Sequence, residues 1–108
     1  MDIQQQLNDW LTHYQQEKAE IQKNIEKSNN KKKLLKIKLE IATNARDRLS
    51  HNQERRHDFY KKHIEKLESE FNSLVDNHQK VLEENNKNLR YVEVMIEEIE
   101  SSISKYNV

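Results

Sequence analysis

The apolar positions of this chain form a pattern that is mirrored about Gln53. Along one helical row, eight apolar residues at positions i in the first half have an apolar counterpart at position 106−i in the second half. The pairs are Ile3 with Ile103, Leu7 with Ile99, Trp10 with Ile96, Tyr14 with Val92, Ile25 with Val81, Leu35 with Phe71, Leu39 with Leu67, and Ala42 with Ile64. Two helices that fold back on each other need this arrangement, because each layer of their contact takes an apolar side chain from both arms. The pattern predicts an all-α fold, a two-helix antiparallel coiled-coil hairpin.

We call the row of positions that meets the other arm the seam. In the first arm its steps alternate between three and four residues, as in a heptad repeat. Two steps of four follow one another at positions 17, 21 and 25, and positions 81, 85 and 89 carry the same double step. We expect these irregularities to be matched, since an unmatched one would shift every later layer out of register.

Polar residues also interrupt the predicted seam. The mirror rule places Ser28 opposite His78, where a neutral imidazole can share a hydrogen bond with the hydroxyl. Such a polar pair fixes the register of the two arms, or it marks a point where a partner helix or water enters. Both interpretations stay open at the level of the sequence.

The chain reversal is predicted in the longest stretch without an apolar residue, SHNQERRHD. Ser50 and Gln53 have the spacing of a capping box for a new helix. We expect a single domain over 1–108, with helix 1 at about 3–49, a turn at about 50–56 and helix 2 at about 57–106. A continuous helix that pairs antiparallel with a second copy satisfies the same mirror rule, so a homodimer is the alternative.

A second set of apolar residues lies outside the seam. Leu34, Ile37, Ile41 and Ala45 form their own helical row beside the seam of the first arm, and a two-helix hairpin has no third layer to cover them. These residues widen the contact within the chain, or they form a docking face for another helix. The candidates for partner binding are Leu34, Ile37, Ile41, Val75, Leu82, Tyr91 and Met95.

Composition agrees with a narrow contact between long helices. The 108 residues include no Gly, Pro or Cys, and only 33% are hydrophobic against 35% charged. Such a chain cannot fill a broad core, but it can fill the seam of a coiled coil. Disorder is the competing interpretation of a polar chain, and the sustained periodicity favours the folded one. The absence of Cys excludes disulfides and zinc sites built on thiolates.

The net charge is zero, but the charges are unevenly distributed. Residues 31–66 carry 12 basic and 5 acidic side chains, whereas 67–108 carry 4 and 9. In a hairpin this arrangement makes the turn end basic. The run KKKLLKIK at 31–38 therefore suggests a nucleic-acid-binding alternative, although no known nucleic-acid-binding motif surrounds it.

The sequence offers no constellation for catalysis or metal binding. None of the five histidines is spaced i, i+4 from another, and a phosphate-binding loop needs glycine. We expect no enzyme activity, no cofactor, no metal and no small-molecule substrate. No stretch approaches the roughly 18 apolar residues of a membrane span, and the N-terminus lacks the pattern of a signal peptide. We therefore expect a cytoplasmic protein without membrane insertion.

A hairpin of this length, unbroken by Pro and without a signal peptide, resembles the WXG-type proteins of bacterial type VII secretion. The chain departs from them because its only Trp is Trp10, far from the turn, and because Tyr91 is followed four residues later by Met95 instead of an acidic residue. It is more similar to the small helical partners encoded beside LXG-domain toxins, which look like WXG hairpins without the turn motif.

This resemblance implies a non-enzymatic, chaperone-like targeting subunit. Such a subunit binds the helical domain of an exported LXG toxin together with a second small helical protein, and it is exported as part of that complex. Because the chain has no export tail of its own, another member of the complex would supply the signal. A nucleic-acid-binding helical protein and a homo-oligomeric coiled-coil adaptor are the alternatives.

Overall fold

The computed structural model describes residues 2–49 and 51–106, which are helical apart from the chain reversal and Asp2. Helix α1 spans Ile3–Asp47 and helix α2 spans Gln53–Phe59. A π-helical segment, Tyr60–Ile64, leads into helix α3, Glu65–Tyr106. The helix is interrupted between α1 and α2, so the continuous-helix alternative is wrong and the predicted all-α hairpin is confirmed. No helix in the described ranges has both the length and the apolar character required to span a bilayer.

Each arm begins at a side-chain cap. Asp2 Oδ1 accepts a hydrogen bond from the Gln4 amide at 3.1 Å. Asn52 has extended backbone angles (φ −134°, ψ 101°), and its Oδ1 accepts from the Arg55 amide at 3.1 Å. These bonds satisfy amides that have no partner within the first turn of a helix.

The predicted boundaries of the turn need correction. Helix α1 ends at Asp47 instead of 49, and the second arm begins at Gln53 instead of 57. The stretch after Asn52 lacks apolar residues, but Gln, Glu and Arg are good helix formers, so a cap is enough to start a helix there. The predicted cap, Ser50, lies outside the described residues.

The reversal is made without glycine. The Leu49 amide donates to the Arg46 carbonyl at 2.9 Å, and the Asn52 amide donates to the Leu49 carbonyl at 3.3 Å. Within the described ranges no residue has a positive φ angle. Two i→i+3 hydrogen bonds therefore flank the chain reversal, and the described residues around it all have negative φ angles.

Replacing Asn52 by alanine is expected to destabilise the hairpin by about 1 kcal/mol, because the Arg55 amide loses its acceptor. Urea denaturation followed by circular dichroism measures the change. Asn52→Asp keeps an acceptor oxygen and should stay close to wild type. Equal losses in both variants would show that the cap does not stabilise α2.

The chain divides into two compact units. The turn unit is Lys27–Lys80, and the terminal unit is Met1–Glu26 with Val81–Val108. In the turn unit Ile64 is 1% exposed and His78 is also buried. In the terminal unit the buried side chains are Ile21, Val92 and Ile99. The buried residues of the terminal unit come from both arms, whereas those of the turn unit come from the second arm and lie with half-buried residues of the first arm, such as Leu35 and Leu39, in the same unit.

Burial along α1 follows an unbroken heptad alternation, which corrects the predicted seam. From Gln4 to Ala42, the positions with reduced exposure are Gln4, Leu7, Leu11, Tyr14, Lys18, Ile21, Ile25, Ser28, Lys32, Leu35, Leu39 and Ala42; Thr43, Ala45 and Arg46, at the end of the helix, are also half-buried. Ile3, Trp10 and Glu17, which were predicted in the seam, are exposed. Leu11 continues the alternation from Leu7, and the methylene stem of Lys18 can pack where Glu17 was expected.

The double step is therefore present in α3 alone. Val81 and Leu82 are both half-buried, and half-buried Asn85 and Leu89 follow them. Asn85 Nδ2 donates to the Val81 carbonyl at 2.7 Å, so its amide finds a partner in its own helix. The prediction of matched irregularities is wrong, because α1 needs no irregular step once Leu11 and Lys18 take the seam positions.

Candidate partner-binding surface

Three aliphatic side chains of α1 form an exposed row in the turn unit. Leu34, Ile37 and Ile41 are 54%, 44% and 63% exposed, whereas Leu35 and Leu39 are half-buried. At 3.6 residues per turn, the centre of this row lies about 145° around the helix from the seam. The second arm of the hairpin packs on the seam side, so it leaves this face of α1 uncovered. We call Leu34, Ile37 and Ile41 the outer row.

The other predicted partner-binding residues do not extend the outer row. Val75 is half-buried in the turn unit. Leu82 and Met95 are half-buried in the terminal unit, where Tyr91 is exposed. The structure thus groups three of the seven candidates on one open face, while three of the remaining four are partly buried.

An exposed tryptophan was missed by the assignment of the seam. The Trp10 ring is exposed and lies against Tyr14, with ring centroids 5.9 Å apart and a tilt of 58°. Trp10 and Leu11 are both apolar, and the spacing from Leu7 to Tyr14 admits either of them. The unbroken alternation of α1 was the signal that could have placed Leu11 in the seam and Trp10 outside it.

The two units carry opposite formal charges. Residues 27–80 include 14 basic and 8 acidic side chains, whereas 1–26 and 81–108 together include 5 and 11. The turn unit has a net charge of +6 and the terminal unit −6. The outer row therefore lies in a strongly basic environment.

A basic depression lies beside the chain reversal. Its volume is about 320 Å³, and its lining residues are Arg46, Gln53, Arg56, His57 and Tyr60. Asp47 Oδ1 lies 3.3 Å from Arg56 Nη2 and 3.5 Å from Arg46 Nε. Arg46 Nε is buried and has no hydrogen-bond partner within the described part of the chain. One carboxylate thus joins the end of α1 to α2 and partly neutralises the two guanidinium groups.

The π-helical segment begins at Tyr60, whose side chain reaches two turns along the helix. Tyr60 Oη donates to Glu68 Oε2 at 2.7 Å. The hydrogen bond to Glu68, followed by desolvation and the nearby negative charge, raises the pKa of the Tyr60 phenol. The neutral phenol is therefore the form that the folded chain favours.

This interaction predicts a pH dependence at the alkaline end. The pKa of Tyr60 is higher in the folded chain than in the unfolded chain. The stability that the Tyr60–Glu68 hydrogen bond contributes is therefore complete below about pH 10, and it is lost as pH rises through the folded-state pKa. In the Glu68→Ala variant, the pKa of Tyr60 should fall toward that of an ordinary tyrosine. Tyrosinate absorbance, with Tyr60→Phe subtracted to isolate the residue, measures the shift. An unchanged titration in Glu68→Ala would assign the shift to another cause.

The predicted polar pair in the seam is present. Ser28 Oγ and His78 Nδ1 share a hydrogen bond of 2.7 Å, and the two residues are 50 positions apart in the chain. This contact confirms the mirror rule in the turn unit. The residues that the same rule pairs in this unit, Leu35 with Phe71, Leu39 with Leu67 and Ala42 with Ile64, are all at least half-buried, as seam positions should be.

Among the described residues, no group of three or more His, Asp or Glu side chains could hold a metal ion. No family model matches the chain, and the searches of curated proteins and of solved structures give no match either. The candidate surface is therefore defined by the residues of this chain alone.

Proposed function

We propose that the chain is a non-enzymatic subunit that binds another helical protein, as a targeting or chaperone-like partner. The observation that supports this proposal is the outer row, whose three aliphatic side chains lie on a face that the second arm leaves uncovered. The resemblance to partners of LXG-domain toxins suggests the ligand, which is the helical domain of a toxin exported by type VII secretion. Export of the subunit within that complex belongs to the same proposal.

The outer row has the geometry that recognises an amphipathic helix. Its spacing of three and four residues is that of a coiled-coil contact, so a partner helix can lie along α1 and bury the row. Burying such side chains contributes about 1.5–3 kcal/mol each before the losses of association are subtracted. Burial of three such residues therefore gives a contact of moderate affinity. Further contacts in a larger complex would strengthen the binding.

Polar replacement of the outer row is expected to abolish partner capture. In Ile37→Ser/Ile41→Ser, the free energy of unfolding should change by no more than about 0.5 kcal/mol per site, because both side chains are largely exposed. Affinity purification from the native host, with identification of the bound proteins, measures capture. Ile3→Ser/Val94→Ser is the matched control, because it removes two exposed aliphatic side chains of the terminal unit.

Two results would contradict the proposal. One is recovery of nucleic acid without any helical protein. The other is that the Ile37→Ser/Ile41→Ser variant unfolds while the fraction that remains folded still captures the partner. That result would show that the outer row belongs to the hairpin's own core. Binding of the purified toxin domain to wild type, and its loss in the variant, would identify the ligand directly.

A second candidate function rests on the charge of the turn unit. With 14 basic and 8 acidic residues, this unit is the kind of surface that attracts phosphate backbones without reading sequence. If the chain binds duplex DNA, the affinity should fall steeply with salt and should be insensitive to Ile37→Ser/Ile41→Ser. A mobility-shift titration at two salt concentrations separates this candidate from the first.

A further inference from the structure

The outer row is the centre of a second heptad pattern on α1. If Leu34 and Ile41 occupy a positions, then Ile37 occupies the d position between them. Asn30 and Asn44 fall on the neighbouring d positions, so a polar residue stands one step beyond each end of the apolar row. The pattern therefore offers a contact of about four helical turns, from 30 to 44, with a polar residue at each end.

The positions that border this second pattern are mainly basic. Lys31 and Lys38 occupy the e positions, and Lys33 and Glu40 occupy the g positions. Between residues 27 and 39 the chain has six lysines and no acidic residue. None of the ion pairs that the structure contains within the described ranges involves Lys31, Lys33 or Lys38. These three ammonium groups thus have no carboxylate partner among the described residues.

We infer that the outer row selects an amphipathic helix whose apolar stripe is bordered by Glu and Asp. The inference rests on the proposed function and specifies the chemistry of the partner. In a coiled-coil contact the e and g side chains of one helix lie against those of the other, and opposite charges there determine which helices pair. A helix bordered by lysine would bring like charges together at Lys31, Lys33 and Lys38, which disfavours its binding.

The composition of the surface favours a helix over a membrane or a nucleic acid. Membrane binding by an interfacial helix strengthens with the apolar area that it buries, and the outer row offers only three apolar side chains, Leu34, Ile37 and Ile41. A phosphate backbone would pair with the lysines but would leave the aliphatic row in water. An acidic amphipathic helix satisfies both parts of the surface.

Two synthetic helical peptides test the inference on the full chain. Both carry leucine at every a and d position over about three heptads, and they differ only in having Glu or Lys at e and g. The Glu peptide should bind at least about tenfold more tightly, and this preference should shrink as salt rises from about 50 mM to about 500 mM. Amide shifts in NMR spectra of the labelled chain should concentrate at 30–44.

Charge reversal provides the matched comparison. Lys31→Glu/Lys38→Glu should lose the preference for the Glu peptide and gain affinity for the Lys peptide. Arg55→Glu/Lys80→Glu makes the same change in net charge at exposed positions of the other arm, and it should keep the wild-type preference. Circular dichroism checks that both variants remain helical.

Several outcomes would overturn the inference. They are equal affinity for the two peptides, preference for the Lys peptide, absence of binding to either, and binding to vesicles of phosphatidylserine or to duplex DNA in place of the Glu peptide. The proposed function fails separately, if no helical protein co-purifies from the host. If a helical protein instead co-purifies equally well with wild type and with Lys31→Glu/Lys38→Glu, the proposed function is retained. In that case the inference that the partner helix has an acidic border is wrong.

Discussion

Replacing Ile64 by alanine is expected to lower the free energy of unfolding by about 2–5 kcal/mol. Ile64 is 1% exposed, and its side chain is the largest that is fully buried. Its removal loses the apolar transfer energy and leaves a cavity that two packed helices cannot readily close. Urea denaturation gives the free energy, and the melting temperature should fall by about 4–8 °C per kcal/mol in a chain of this size.

Ile41→Ala is the matched control for this experiment. It makes the same chemical change in the same unit, but the Ile41 side chain is 63% exposed. The expected loss is about 0.5 kcal/mol or less, since exposed substitutions have small effects. Similar losses in the two variants would show that Ile41 is as well packed as Ile64, which would contradict the assignment of the outer row to an open surface.

His78→Ala is expected to destabilise the hairpin by about 2–4 kcal/mol, because it empties a buried position and leaves the Ser28 hydroxyl without its partner. Ser28→Ala should have a smaller effect. The coupling energy from the double-mutant cycle should be about 1 kcal/mol, the net contribution of one hydrogen bond. His57→Ala is the control, since His57 is exposed near the chain reversal.

The cycle also separates the two interpretations of this polar pair. If the pair fixes the register, the two substitutions are strongly coupled in the isolated chain. If the pair instead marks an entry point for a partner or for water, the coupling in the isolated chain is close to zero. A coupling energy near zero would therefore contradict the role in register.

Most of the fold could be predicted from the sequence because the chain has a single strong pattern. The mirror rule predicted the Ser28–His78 contact across 50 positions, since register in a hairpin is fixed once the centre is known. The rule was weaker near the N-terminus, where Trp10 and Leu11 are both apolar. An apolar pattern cannot choose between adjacent apolar residues, and burial then depends on the phase of the whole helix.

The turn and the outer row illustrate what the sequence could not supply. The polar residues after Asn52 give no hydrophobic period, so the start of α2 depended on one side-chain cap. The sequence identified the outer row, Leu34, Ile37 and Ile41, as separate from the seam. Whether these side chains are exposed depends on which face of α1 packs against the second arm, and only the structure shows this. The π-helical segment had no signal in composition, because each of its five residues is compatible with an ordinary α-helix.

The π-helical segment has a consequence for how this chain can change in length. A π turn holds one residue more than an α turn, and here the Glu65 amide donates to the Tyr60 carbonyl, five positions back. It follows the cap at Asn52 and ends at the buried residue Ile64, so it sets the phase of the short helix α2 relative to the long helix α3. A deletion of one residue near the reversal can therefore be absorbed if this π turn becomes an α turn, while every position from Ile64 onward keeps its place against α1.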